Sequence, residues 1–153
     1  MKKIVLPLLA CLIIAGGAMA EDKKEKEEVA SIRSDSPKGA RSYIVFPKDG
    51  KTVKQKFKVV FGLAKMGIAP AGINMPDTGH HHLLIDVDAK DYDMSAALPG
   101  DQMDKVKHFG KGQTETILEL APGKHTLQLV LGNFLHIPHN PPVISEKITI
   151  TVE

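Results

Sequence analysis

Residues 80–88 read HHHLLIDVD, and their reading decides the fold. In an extended strand alternate side chains point to opposite faces. His81, Leu83, Ile85 and Val87 therefore share one face, and His80, His82, Leu84, Asp86 and Asp88 share the other. The same period of two runs through VKQKFKVVFGL (53–63), where Phe57, Val59, Phe61 and Leu63 alternate with Lys56, Lys58 and Val60. It recurs with Thr116, Leu118 and Leu120 in TETILEL (114–120), and with His125, Leu127, Leu129 and Leu131 in KHTLQLVL (124–131). EKITITVE (146–153) repeats it with Ile148, Ile150 and Val152. SYIVFPKDG (42–50) is a strand running into a turn, and Ala121-Pro122-Gly123 marks a hairpin.

Short strands of alternating polarity, with no sustained helical period, predict an all-β fold. The expected form is an antiparallel immunoglobulin-like β-sandwich with two long loops, a small barrel being the alternative. The loops are AKMGIAPAGINMPDTG (64–79) and AKDYDMSAALPGDQMDKVKHFGKGQ (89–113). Loops of that length carry function more often than most. They hold Met66, Met75, Met94 and Met103, expected as packing residues, and DMSAAL (93–98) is the one candidate helical turn, capped by Asp93.

The N-terminus, MKKIVLPLLACLIIAGGAMA (1–20), has two lysines, an apolar run and a small-residue close on Ala18-Met19-Ala20. This is a signal peptide layout, with Glu21 the expected mature N-terminus in the periplasm or outside the cell. A retained anchor or lipid attachment at Cys11 are the alternatives; the apolar run falls short of the roughly 20 residues a membrane span needs. Cys11 is the only cysteine, so cleavage removes every thiol and with it disulfides, thiolate ligands and cysteine nucleophiles. Removing Lys2 and Lys3 lowers the 20 basic residues to 18, equal to the 18 acidic ones. That balance points to no nucleic-acid partner and no stable membrane insertion. Residues 21–40, charged and poor in large apolar side chains, are expected to form a flexible tether to a sandwich over 41–153.

No nucleophile elbow, phosphate-binding loop or dinucleotide-binding glycine pattern occurs. Asp86 and Asp88 read as surface carboxylates. The expectation is a binding module rather than an enzyme, with a metal-dependent enzyme as a further alternative.

The candidate site is built from histidine. His80 and His82, two apart on a strand, present side-by-side imidazoles. HIPHNPP (136–142) carries His136 and His139 on a loop stiffened by Pro138 and Pro141-Pro142, and His108 in KHFG adds another. Neutral imidazoles without thiolate favour copper(II), zinc or nickel, and neighbouring methionines leave copper(I) open. The expected ligands are therefore His80, His82, His108, His136 and His139, for a copper or zinc ion. The competing reading is a structural or protein-interaction domain, partnered by an envelope protein, whose histidines only hold the loops. His81 and His125, on the inner faces, are expected as partly buried, hydrogen-bonded structural residues.

TGHHHLLID, HFGKGQTE, PGKHTLQL and HIPHNPPVISEKITITV, in this order, resemble the secreted bacterial family catalogued as domain of unknown function 4399. The resemblance runs from Phe61 to the C-terminus and implies a compact, exported, β-rich domain. By it, the histidines at 80, 81, 82, 108, 125, 136 and 139 fall on the family pattern, with no activity implied. Where the family often has an acidic residue after LVLG, Asn133 and Phe134 stand here, which argues against a carboxylate ligand at that corner.

Overall fold

The computed structural model describes residues 32–100, 102 and 104–153. The signal peptide with Cys11, the tether over 21–31 and Met103 lie outside them. Among the described residues the strands are β1 (Arg41–Phe46), β2 (Thr52–Val53), β3 (Lys56–Ala64), β4 (Gly67–Ile68) and β5 (Thr78–Ile85). They continue with β6 (Val106–His108), β7 (Glu115–Glu119), β8 (Gly123–Gly132) and β9 (Ile148–Val152). One sheet has the order β1-β3-β7; the other runs β2-β9-β8-β5-β4, with β6 also paired to β5. Apart from the short parallel pairs β2/β9 and β4/β5, the strands are antiparallel. Two antiparallel sheets partitioned in this way make the expected immunoglobulin-like sandwich.

The period-two pattern reads directly into the main core. Phe57, Val59, Phe61 and Leu118 of one sheet face Leu83, Ile85, Leu127, Leu129, Ile148, Ile150 and Val152 of the other. Each large side chain so buried contributes on the order of 1.5–3 kcal/mol.

The opposite face of β5 and β8 departs from expectation. It is covered, not solvated: Leu84, Ala89, Leu98, Val106 and Val130 form a second core, with Val87, Tyr92, Met94 and Ile144 packed around it. Every residue of β5 after Thr78 is buried. Residues 87–98 fold back across this face, which is why Leu84 lies beneath them and Met94 fills space there. Val87 joins this second core rather than the first. Asp86 adopts φ +57°, which ends β5 and breaks the alternation, so the next side chain turns to the other side.

The helical turn also lies earlier than DMSAAL. A short 3-10 helix spans Ala89–Asp91 and is capped by Asp88, whose side chain accepts from Lys90 N while Asp91 accepts from the Asp88 amide. Asp93 instead nucleates an Asx turn, its Oδ1 accepting from Ser95 N and Oγ. Asp86 and Asp88 are structural carboxylates: Asp86 accepts from Thr126 N, and Asp88 pairs with Lys147.

The folded unit begins at Ile32, so the expected tether boundary at residue 40 moves. Residues 32–36 lie along the 133–141 loop: Arg33 donates to the carbonyls of Pro138 and His139, Ser36 N donates to Asn140 O, and Asn140 N donates to Ser34 O. These bonds offset the ordering entropy that the composition of the segment alone could not.

Candidate metal centre

Four histidines from three places in the chain meet on the covered face. His80 and His82 project from β5 on the same side. His108 at the end of β6 is the direct cross-strand partner of His82. His136 comes from the loop after β8. One ring nitrogen from each lies within 4.8 Å of all the others, and no cysteine or carboxylate joins the group among the described residues. Ring centroids are 4.8 Å apart for His80–His82, 5.2 Å for His82–His108 and 4.6 Å for His108–His136. His80 Nε2 and His136 Nδ1 are 3.1 Å apart.

The backbone makes room for these rings. A Cβ at Gly132 would sit 2.7 Å from His82 Cε1, and one at Gly110 would sit 2.2 Å from His108 Cε1. Side chains at either position would displace a ring. His136 is held at φ +67°, its amide donating to Asn133 O and its carbonyl accepting from Leu98 N. Asn133 organises that loop from both ends of its amide. Its Oδ1 accepts from Leu135 N and Ile137 N, and its Nδ2 donates to Ile32 O and Ser34 Oγ. A carboxylate has no donor for the last two, so this asparagine is committed to structure.

His139 stands outside the group. It is buried against Gly79, with Nε2 3.1 Å from Thr78 O and Nδ1 3.4 Å from Leu131 O, so it ties the loop to β5 and β8 instead of joining the four. His125 is partly inside and hydrogen-bonded as expected: Nδ1 lies 2.7 Å from Asp86 Oδ2 and Nε2 lies 2.9 Å from Ala121 O. His81 is buried as expected but lacks the expected partners. Neither ring nitrogen has one, and the ring stands edge-on to Phe61 in the main core.

Burial, then the nearby His136 and His108, push the His80 pKa down to about 3. Burial, then His80 and His108, push His82 to about 2. His108 is lowered by the same two kinds of cause, burial and then His136. His80 and His82 therefore stay neutral at physiological pH, with lone pairs free for a metal and no proton to displace. Each also keeps a buried Nδ1 without a partner, hydrogen-bonding capacity left unmet at a cost of roughly 1–3 kcal/mol. A tetrahedral zinc–imidazole site with bonds of about 2.0–2.1 Å needs nitrogens ~3.3 Å apart. Closing from at most 4.8 Å asks each ring to shift by under about an ångström, so the residues fit such an ion.

Access is graded. His80 and His82 are buried, His136 is half-buried and His108 is exposed. A cleft of about 280 Å³ lined by His82, His108, His136, Leu98, Pro99 and Gly100 opens beside them. Of the described loop methionines, Met94 packs in the second core and Met75 is exposed. Sequence reasoning missed the positioning residues Arg33, Gly110, Gly132 and Asn133. Only Gly132 carried a signal, since a glycine ending an apolar strand marks close approach by another group.

Among solved structures, the endo-beta-1,4-mannanase from Thermotoga petrophila is similar at 15% identity and a TM-score of 0.44, covering 76% of this chain. This chain spans 20% of that protein's length. The fibronectin(III)-like modules of Clostridium thermocellum CbhA are similar at 10% identity and a TM-score of 0.37, over 72% of this chain and 92% of theirs. No curated relative matches. Among the described residues no helix is long and apolar enough to cross a membrane. The family described as "Domain of unknown function (DUF4399)" matches residues 59–153, a span that holds all seven histidines, and the chain belongs to that family.

Proposed function

We propose that this protein is an exported metal-binding module in which His80, His82, His108 and His136 hold one copper or zinc ion in the periplasm or outside the cell. The convergence of four imidazole nitrogens within 4.8 Å, with no carboxylate or thiolate among the described residues joining them, carries the reading. Such a donor set suits borderline divalent ions and disfavours calcium and magnesium, which take oxygen ligands. The role is binding, not turnover through a side-chain nucleophile, since no such nucleophile is placed in the group. Paramagnetic resonance of copper-loaded, tag-free protein tests it: nitrogen hyperfine structure from several imidazoles is expected, and a spectrum of aqueous or backbone-bound copper would refute it.

A second reading, an envelope interaction domain needing no metal, draws on a different face. Tyr43, Val45 and Ile117 are exposed on the β1-β3-β7 sheet, Ile117 by 53%. Capture of an envelope protein by metal-stripped sample, lost when Ile117 becomes lysine, would favour it.

A further inference from the structure

Resting on the metal reading, we infer that the loaded site is also an anion-binding site: the cleft walled by Leu98, Pro99 and Gly100 admits a small inorganic anion to the bound ion.

The argument begins with charge. Imidazole donors ligate as neutral groups, so four of them leave a divalent ion's charge uncancelled. Metal sites of this kind usually include a carboxylate or thiolate that offsets it. Here, among the described residues, no acidic side chain joins the four or lines the cleft. Asn133, on the loop that carries His136, is an amide fully used in backbone and hydroxyl contacts.

Access supplies the second observation. The cleft touches His82, His108 and His136, three of the four ligands, and its remaining walls come from Leu98, Pro99 and Gly100. Among the described residues those walls bring no charged side chain to compete for the ion and no cation to hold an anion by themselves. They are apolar, which lowers the local dielectric and strengthens the attraction between the ion and an anion beside it. At about 280 Å³ the space admits an anion of a few atoms together with its waters. The ligand class is therefore a monodentate inorganic anion that binds only when the metal is present.

Gly100 is the position in the cleft wall at which bulk can be added. A Cβ there meets nothing within 4 Å, so a side chain is accommodated without backbone conflict. Gly100 contributes no group to the ion.

The test loads tag-free full-length protein with one equivalent of copper(II) in chloride-free buffer and titrates azide, following absorption and paramagnetic resonance. The expected result is a saturable azide-to-copper charge-transfer band with one azide per copper. Gly100→Phe should keep its copper and bind azide at least tenfold more weakly, and metal-free protein should show no band. Copper-loaded protein that ignores azide overturns the anion site while leaving the metal reading intact. Wild-type azide affinity in Gly100→Phe overturns the assignment to this cleft. Failure to take up copper at all refutes the metal reading itself, and is scored before any azide is added.

Discussion

His81→Leu should make the metal-free domain more stable, and more so in acid. His81 is 1% exposed in the main core, edge-on to Phe61 at 5.2 Å, with both ring nitrogens unpartnered. Even a neutral imidazole there forgoes the hydrogen bonds it makes with water, a cost of roughly 1–3 kcal/mol. Leucine removes that cost while keeping most of the apolar contact, for an expected gain of about 1 kcal/mol near neutral pH after loss of the aromatic edge contact. Burial also pushes the folded-state pKa down to about 4 from 6.5. A depressed folded pKa means the unfolded chain binds the proton first, so stability is full above the unfolded pKa and falls as pH drops from 6.5 toward 4. Near pH 5 this residue alone costs the wild type about 2 kcal/mol, and the leucine variant escapes it. The total advantage of the variant is then about 3 kcal/mol near pH 5. Urea unfolding followed by far-ultraviolet circular dichroism, in chelator, at pH near 7.5 and near 5, measures both. A variant less stable than wild type at both pH values, or an advantage that does not grow in acid, would refute the account of His81 as an unsatisfied core histidine.

Other consequences are open to the same kind of measurement. His125 sits between two acceptors, the Asp86 carboxylate and the Ala121 carbonyl, and the Asp86 bond raises its pKa. A raised folded pKa gives stability that is complete below 6.5 and lost as pH climbs through the folded value, so His125→Ala should cost more near pH 6 than near pH 9. Because Asp86 is half-exposed, that difference is only about 1 kcal/mol, and an equal cost at both pH values counts against it. Asn133→Asp loses the donors to Ile32 O and Ser34 Oγ, which should weaken metal binding about tenfold through His136. An unchanged affinity by titration calorimetry would show that the loop is held by other contacts. Gly132→Ala places a Cβ against the His82 ring and should destabilise the domain by roughly 1–3 kcal/mol while lowering metal affinity. A variant with wild-type melting and binding would mean that the ring has room to move.

The sandwich was legible because burial on one face of a strand leaves a period of two, which β9 obeys residue by residue and β3 obeys as far as Phe61. The covered outer face of β5 was not. An apolar Leu84 between polar neighbours reads as half-solvated until residues 87–98 are seen lying on it, and that packing is a tertiary contact with no local period. Val87 was misplaced for a local reason, the positive φ of Asp86, a conformation that aspartate tolerates without demanding. Of the site, the His80/His82 pairing followed from strand geometry, and His108 and His136 converge with it. His139 does not, because spacing within HIPHNPP cannot tell which histidine turns toward the sheet backbone. Arg33 and Asn133 were invisible, since their role depends on bonds between segments about a hundred residues apart.

The most direct test of the central claim is calorimetric titration of tag-free protein with copper and with zinc at neutral pH. It is repeated on His80→Ala/His82→Ala and on His108→Gln. The second variant alters an exposed side chain, so it guards against misfolding of the first, whose residues are buried. The account predicts one ion per chain, bound tighter than about micromolar, abolished in the double variant and at least tenfold weaker in His108→Gln. Absence of binding in the wild type, or affinity unchanged by both variants, would contradict it.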